Sequence, residues 1–371
     1  MPTPFDKPIL VTRPFLPSLE EYQRGLREIW DNAWLTNNGP VLQRYTRRLE
    51  SFFGTPNVCL FNNGTLALQI GLQGLKIEGE VITTPFTFVA TSHALFWNRL
   101  TPVFVDIEPD TYTLDPAAVE AAITPRTTAI LAVHVFGFPC RHAELSAIAA
   151  RHGLKLIYDA AHAMGVTVDG RPISHWGDLS MFSFHATKLY HSIEGGALTF
   201  ADSGLKKTFD YLKNFGFENE TEVVIPGTNA KMNEFQALMG LLVLDHLPAL
   251  IARRREIVAR YRERLAAIPG IRLPPLPPSN VAWNHAYMPV EILPEFPLCR
   301  DALYEHLKTY NVFSRRYFYP LLTDFPCYRD LPCRDPLTVA RGVADRILTF
   351  PIYHELALDD VSRICDCIAD R

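Results

Sequence analysis

The segment Leu154-Lys-Leu-Ile-Tyr-Asp-Ala-Ala-His162 decides the fold. A short, nearly continuous apolar run reads as a strand buried on both faces. A carboxylate at its end falls where open α/β sheets receive their ligands. Working outward, comparable runs occur at residues 58–61, 81–84, 103–106, 129–134, 179–184 and 197–200, beside 154–159 itself. Helix signals lie between them. They cover 65–75, ending near Gly74; 116–122, entered from Asp115 with proline at the first helical position; and 141–152, stopped by Gly153. Strands joined by crossover helices predict an α/β fold with a mainly parallel seven-stranded sheet, covered on both faces.

After Phe200 the pattern changes to a long helical tract, 232–266, predicted to break or bend at Pro248 and to bridge two domains. Five prolines within 269–278 exclude regular helix there. The expected division is a large domain with an N-terminal arm, 1–248, and a small C-terminal α+β domain, 249–371.

The chain has 371 residues, 48% of them hydrophobic, enough to bury a sizeable core. Its 36 basic and 40 acidic residues leave a net charge of −4 without a like-charge block, so neither nucleic acid nor an anionic membrane is an expected partner. The first residues lack the basic and apolar regions of a signal peptide, and the sequence reading finds no window approaching the ~20 apolar residues of a membrane span. A cytoplasmic protein is expected. Seven cysteines without a regular framework read as reduced thiols.

Three clusters carry chemistry. Asn62-Asn63-Gly64-Thr65 is a glycine-containing turn between a strand and a helix, a ready anion site; alone it is more often an ordinary N-capped turn. Asp159-Ala160-Ala161-His162 offers a carboxylate that can pair with a buried cation, or simply a capping Asp. Two ligands do not make a metal site, and no metal is expected. Ser183-Phe184-His185-Ala186-Thr187-Lys188, followed by Glu194-Gly195-Gly196, places at a sheet edge a lysine that desolvation can turn into an imine-former, although most lysines are structural. Together they supply one partner each for a phosphate, a ring cation and an aldehyde, the three handles of pyridoxal phosphate.

In this order the motifs resemble the sugar-nucleotide aminotransferases of the DegT/DnrJ/EryC1/StrS family, a branch of the fold-type I pyridoxal-phosphate enzymes. The resemblance also runs through Trp34-Leu-Thr-Asn-Asn-Gly-Pro40, residues 81–91, Pro102-Val-Phe-Val-Asp106 and Asn229-Ala-Lys-Met232. Within the family, Ser183–Lys188 with Glu194-Gly-Gly and the opening Val11-Thr-Arg-Pro-Phe15 look most like enzymes that make dTDP-4-amino-4,6-dideoxy-D-glucose.

The resemblance implies that Lys188 bonds the cofactor and moves the proton, and that Asp159 binds the pyridinium nitrogen. It implies His162 near the ring, where many members carry Gln. The backbone of Gly64, Thr65 and Leu66, with the Thr65 and Ser183 hydroxyls, would hold the phosphate. Phe88 would stack on the ring. Asn229 would reach the neighbouring subunit's phosphate, making a homodimer with a shared active site. His185 and Tyr317 would face the substrate, and Arg315 and Arg316 its diphosphate. The implied partners are L-glutamate and a nucleotide-linked keto-sugar, dTDP-4-dehydro-6-deoxy-D-glucose. The rivals are a C3 aminotransferase of a 3-keto-6-deoxy sugar, a dehydratase, which Lys188 argues against, and a non-catalytic cofactor-bound regulator.

Overall fold

All seven apolar runs become strands of one sheet in the computed structural model, which describes residues 2–331 and 333–370. They are β1 (Val58–Phe61), β2 (Glu80–Thr83), β3 (Thr101–Phe104), β4 (Thr127–Val133), β5 (Lys155–Asp159), β6 (Leu179–Ser183) and β7 (Gly196–Phe200). Their order is β1-β7-β6-β5-β4-β2-β3, and every pairing is parallel except the two made by β7. Side chains alternate between two cores. Leu156 and Tyr158 enter one, Ile157 the other.

The antiparallel strand sets the working edge. Because β7 runs against its neighbours, its first residue, Gly196, pairs with the last residues of both β1 and β6, Phe61 and Ser183. The turn after β1 crosses directly over it. A Cβ at 196 would lie 2.7 Å from the Asn63 carbonyl and the Gly64 Cα, so only glycine lets the two chains pass.

Helices α3 (Gly64–Gly74), α5 (Pro116–Ala121) and α6 (His142–His152) match the three expected crossovers, and α1 (Leu19–Asn32), α2 (Pro40–Phe53), α4 (Val89–Trp97) and α7 (Leu205–Leu212) complete this part of the chain. Helix α2 is capped from far away. The buried Glu234 carboxylate accepts from the N–H groups of Val41 (2.8 Å) and Leu42 (3.0 Å), occupying free donors of its first turn.

The long tract forms a single helix, α8 (Glu234–Leu265), opened by an Asn233/Gln236 capping box and continuous through Pro248 rather than broken there. It also corrects the membrane reading, since α8 holds a window long and apolar enough to cross a membrane by length and composition. The buried share of that window, 44%, is used inside the protein. Residues up to Leu250 pack against the large sheet, and from Ile257 onward they join a second core. The expected boundary at 248/249 thus falls inside one helix.

The second core is closed by the antiparallel strands β8 (Ile271–Arg272), β9 (Met288–Ile292) and β10 (Ile347–Phe350), with α9 (Arg300–Thr309), α10 (Thr338–Arg346) and α11 (Leu358–Ala369). Carboxylates tie it to the sheet. Asp106 accepts from the Val339 (2.8 Å) and Ala340 (2.7 Å) N–H groups at the start of α10. The buried Glu80 on β2 pairs with Arg334 (2.8 Å) and Arg126 (2.6 Å). The Arg334 hydrogen bond is the main cause that holds the Glu80 carboxyl down at about 2.

A depressed carboxyl stabilises the fold fully above its ordinary value of 4.5 and loses that contribution as pH falls toward about 2. Glu80→Gln should therefore cost about 2–4 kcal/mol at neutral pH. Urea titrations from pH 7 to pH 3 should show the gap between variant and wild type closing on the acid side.

Candidate active site

At the carboxyl edge of the sheet lies a cavity of about 300 Å³. It brings together Gly64 and Thr65 from the turn after β1, Phe88 before α4, Asp159 at the end of β5 and His162 just beyond it, and Ser183 at the end of β6 with His185 and Lys188 beyond it. Tyr317 reaches it from the C-terminal part of the chain. Leu66 lies instead in an adjoining recess, and Asn229 is exposed outside the cavity.

Asp159 forms its buried end, only 4% exposed. One carboxylate oxygen accepts from the Thr91 hydroxyl (2.8 Å), the other from the Ala161 N–H (3.0 Å). Thr87 Oγ1 lies 2.9 Å from Thr91 Oγ1; since Thr91 gives its proton to Asp159, Thr87 is the donor in that pair. Burial nevertheless pushes the carboxyl up, opposed by these hydrogen bonds and by the charge of Lys188. Among the described residues no cation lies within ion-pair distance of it. A ring cation would supply the missing charge.

His162 is held neutral by burial, which drives its imidazole well below the ordinary value. Its Nδ1 accepts the Phe136 N–H at 3.1 Å, so the proton sits on Nε2, a donor for an oxygen in the cavity. Phe136 adopts φ +55°, inside the left-handed region. The rings of Phe136 and Phe318 lie nearly parallel to His162, at 10° and 7°.

At the start of α3, Asn63 Oδ1 accepts from the Leu66 N–H (2.8 Å). The expected donation from Leu66 to an anion is therefore already taken by the helix cap. Among the described residues, the N–H groups of Gly64 and Thr65 have no partner and remain for an anion. Phe88 is 59% exposed although it lines the cavity, a bare aromatic face for a flat ligand. Asn229 belongs to a folded-back segment, bridged to Asn214, whose Phe215, Phe217, Val223 and Val224 are exposed.

Lys188 Nζ donates to the Tyr287 hydroxyl at 3.3 Å. His185 Nδ1 lies 2.7 Å from Thr187 Oγ1 and its Nε2 3.5 Å from Glu194. Arg316 pairs with Asp301 (2.9 Å) and covers the Tyr304 ring, whereas Arg315 is exposed. Sequence reasoning passed over Thr91, Tyr287 and Glu194. Thr91 lies within a motif that carried the resemblance and Glu194 opens another, but nothing in the local sequence around Tyr287 announces it.

A strand-end carboxylate lacking its cation, free N–H groups at a helix start, a bare aromatic face and a lysine, all in one cavity, fit pyridoxal phosphate. With this sheet they define the fold-type I aminotransferase class. The chain belongs to the DegT/DnrJ/EryC1/StrS aminotransferase family, whose model matches residues 18–369. It is 44% identical over 365 residues to a dTDP-4-amino-4,6-dideoxy-D-glucose transaminase of Shigella dysenteriae, covering 98% of this chain and 99% of that one. An Escherichia coli protein of the same name is 46% identical, covering 97% of each. Among solved structures, DesI in the presence of its TDP-sugar product superposes with a TM-score of 0.94 at 41% identity, over 99% of this chain and 93% of the other.

Thr91→Val should lower kcat about tenfold, because a charge-assisted hydrogen bond to Asp159 is lost. Thr91→Ser should restore most of it. Steady-state rates of both variants check this.

Proposed function

We propose that this chain is a pyridoxal-phosphate-dependent transaminase that moves the amino group of L-glutamate to C4 of dTDP-4-dehydro-6-deoxy-D-glucose, giving dTDP-4-amino-4,6-dideoxy-D-glucose. The observation that carries the chemistry is the meeting of Asp159, Lys188 and the Gly64–Thr65 turn in one cavity. The sugar rests on the two transaminases of that name, matched over nearly the whole chain.

The cofactor supplies, when bound, an aldehyde that takes up the amino group and a protonated ring that accepts electron density. Asp159 keeps the ring nitrogen protonated by its charge. His162 would donate from Nε2 to an oxygen of the cofactor. The Gly64 and Thr65 N–H groups and the Thr65 and Ser183 hydroxyls hold the phosphate, aided by the positive end of α3. Phe88 would offer its exposed ring to the cofactor. Lys188 Nζ removes the proton from the glutamate α-carbon in the first half-reaction and delivers one to sugar C4 in the second. His185 and Tyr317 line the sugar side.

The reading includes a homodimer in which Asn229 reaches the partner's phosphate, supported by the exposed apolar side chains beside it. It includes a division into residues 1–248 and 249–371, supported by the two cores, and a place in the cytoplasm, in keeping with seven unpaired cysteines. Amination at C3 is not favoured by the 44% and 46% identical relatives. A non-catalytic regulator would have no use for Lys188 and Asp159 in one cavity.

Incubated with pyridoxal phosphate, L-glutamate and dTDP-4-dehydro-6-deoxy-D-glucose, the protein should give a product whose NMR spectrum shows an equatorial amine at C4. An axial amine would make the product galacto, and turnover of the 3-keto isomer alone would transfer the assignment to C3. Lys188→Ala should abolish turnover yet still bind pyridoxamine phosphate; measurable turnover in that variant would end the role given to the lysine.

A further inference from the structure

Tyr287 is held in place by more buried polar machinery than an aromatic wall requires. Both backbone groups of the preceding Ala286 are clamped. Its N–H donates to Asn284 Oδ1 (3.2 Å), and its carbonyl accepts from Arg254 Nη1 (2.7 Å). Asn284 is itself anchored beneath the cavity, donating through Nδ2 to the carbonyls of His162 (2.8 Å) and Met164 (3.0 Å). Between Asn284 and Ala286, His285 takes φ +50°, inside the left-handed region.

Arg254 is the costly part of this arrangement. It is 4% exposed, and among the described residues no carboxylate pairs with it. Burial draws its guanidinium down to about 10, still cationic at neutral pH. An unpaired buried cation is expensive, and a packed core alone would be better served by an apolar side chain. What Arg254 holds is the backbone that delivers one hydroxyl. That hydroxyl accepts from Lys188 Nζ at 3.3 Å, while the Tyr287 ring sits 4.5 Å from His162 and edge-on to Tyr317.

We propose that Tyr287, fixed through Ala286 by Arg254 and Asn284, is a positioning residue that aims Lys188 Nζ into the cavity. It gives the second core a direct hand in the chemistry of the sheet edge, because Arg254 lies on α8 and Tyr287 just before β9. An unrestrained lysine side chain spreads over many rotamers, and only a small share of them points its nitrogen at a reacting carbon.

The inference rests on the cofactor reading given above, and the test separates the two. Stopped-flow absorbance follows capture of pyridoxal phosphate by the cofactor-free chain, a step in which the bond from Nζ to the aldehyde carbon forms and the aldehyde oxygen leaves as water. Pyridoxamine phosphate, which forms no bond with lysine, reports the integrity of the pocket by calorimetry. Tyr287→Phe should slow capture about tenfold, equivalent to one modest interaction lost in the transition state, and leave pyridoxamine phosphate affinity within about twofold. Arg254→Met, which removes the donor to the Ala286 carbonyl, should slow capture in the same direction by less. An unchanged capture rate in Tyr287→Phe, or equal losses in capture and in pyridoxamine phosphate affinity, would overturn the proposal. Failure of the wild-type chain to capture pyridoxal phosphate at all would instead overturn the functional reading, and the proposal with it.

Discussion

A buried carboxylate without a fixed counter-charge is the constraint around which this protein is arranged. Asp159 sits at the end of a strand sealed on both faces, where desolvation works against its charge. It accepts hydrogen bonds from Thr91 and Ala161, and among the described residues it has no ion pair. What remains is a local negative potential aimed into the cavity, stronger for being away from water. Neutral His162, the free N–H groups after β1 and the exposed face of Phe88 surround that potential with complementary chemistry.

Much of this was legible in the sequence, for physical reasons that also mark where legibility ends. Strands buried on both faces have nowhere to place polar residues, so the runs at 129–134 and 154–159 announced themselves. Helix α4 did not. Its cap, Phe88, makes no side-chain hydrogen bond, and its Val89 and Thr91 are weak helix formers chosen for what they touch. Helix α2 lacks a local cap because Glu234 supplies one. The apolar window in α8 was missed because a helix serving two cores is apolar on more than one side.

The site shows the same division. Lys188, Asp159 and the Gly64 turn lie in short motifs whose spacing reflects one strand end and one loop, so the sequence carries them intact. Tyr287 comes from beyond the long helix, and its relation to Lys188 exists only in three dimensions. Leu66 shows the converse limit. Its place in the anion-binding motif was plain, but competition from the Asn63 side chain for its N–H was not.

The position of β7 bears on how the chain is made. The first strand of the sheet, β1, has a single neighbour, and that neighbour begins 135 residues after β1 ends. At ribosomal speeds of roughly 5–20 residues per second, Val58–Phe61 waits on the order of ten seconds for Gly196–Phe200 to emerge. The cap on α2 arrives later still, with Glu234. Throughout that interval the nascent protein presents an apolar strand with both edges open, the kind of segment that pairs with its own copies on neighbouring ribosomes. Vectorial synthesis therefore leaves this strand without its only sheet neighbour among the described residues until β7 emerges.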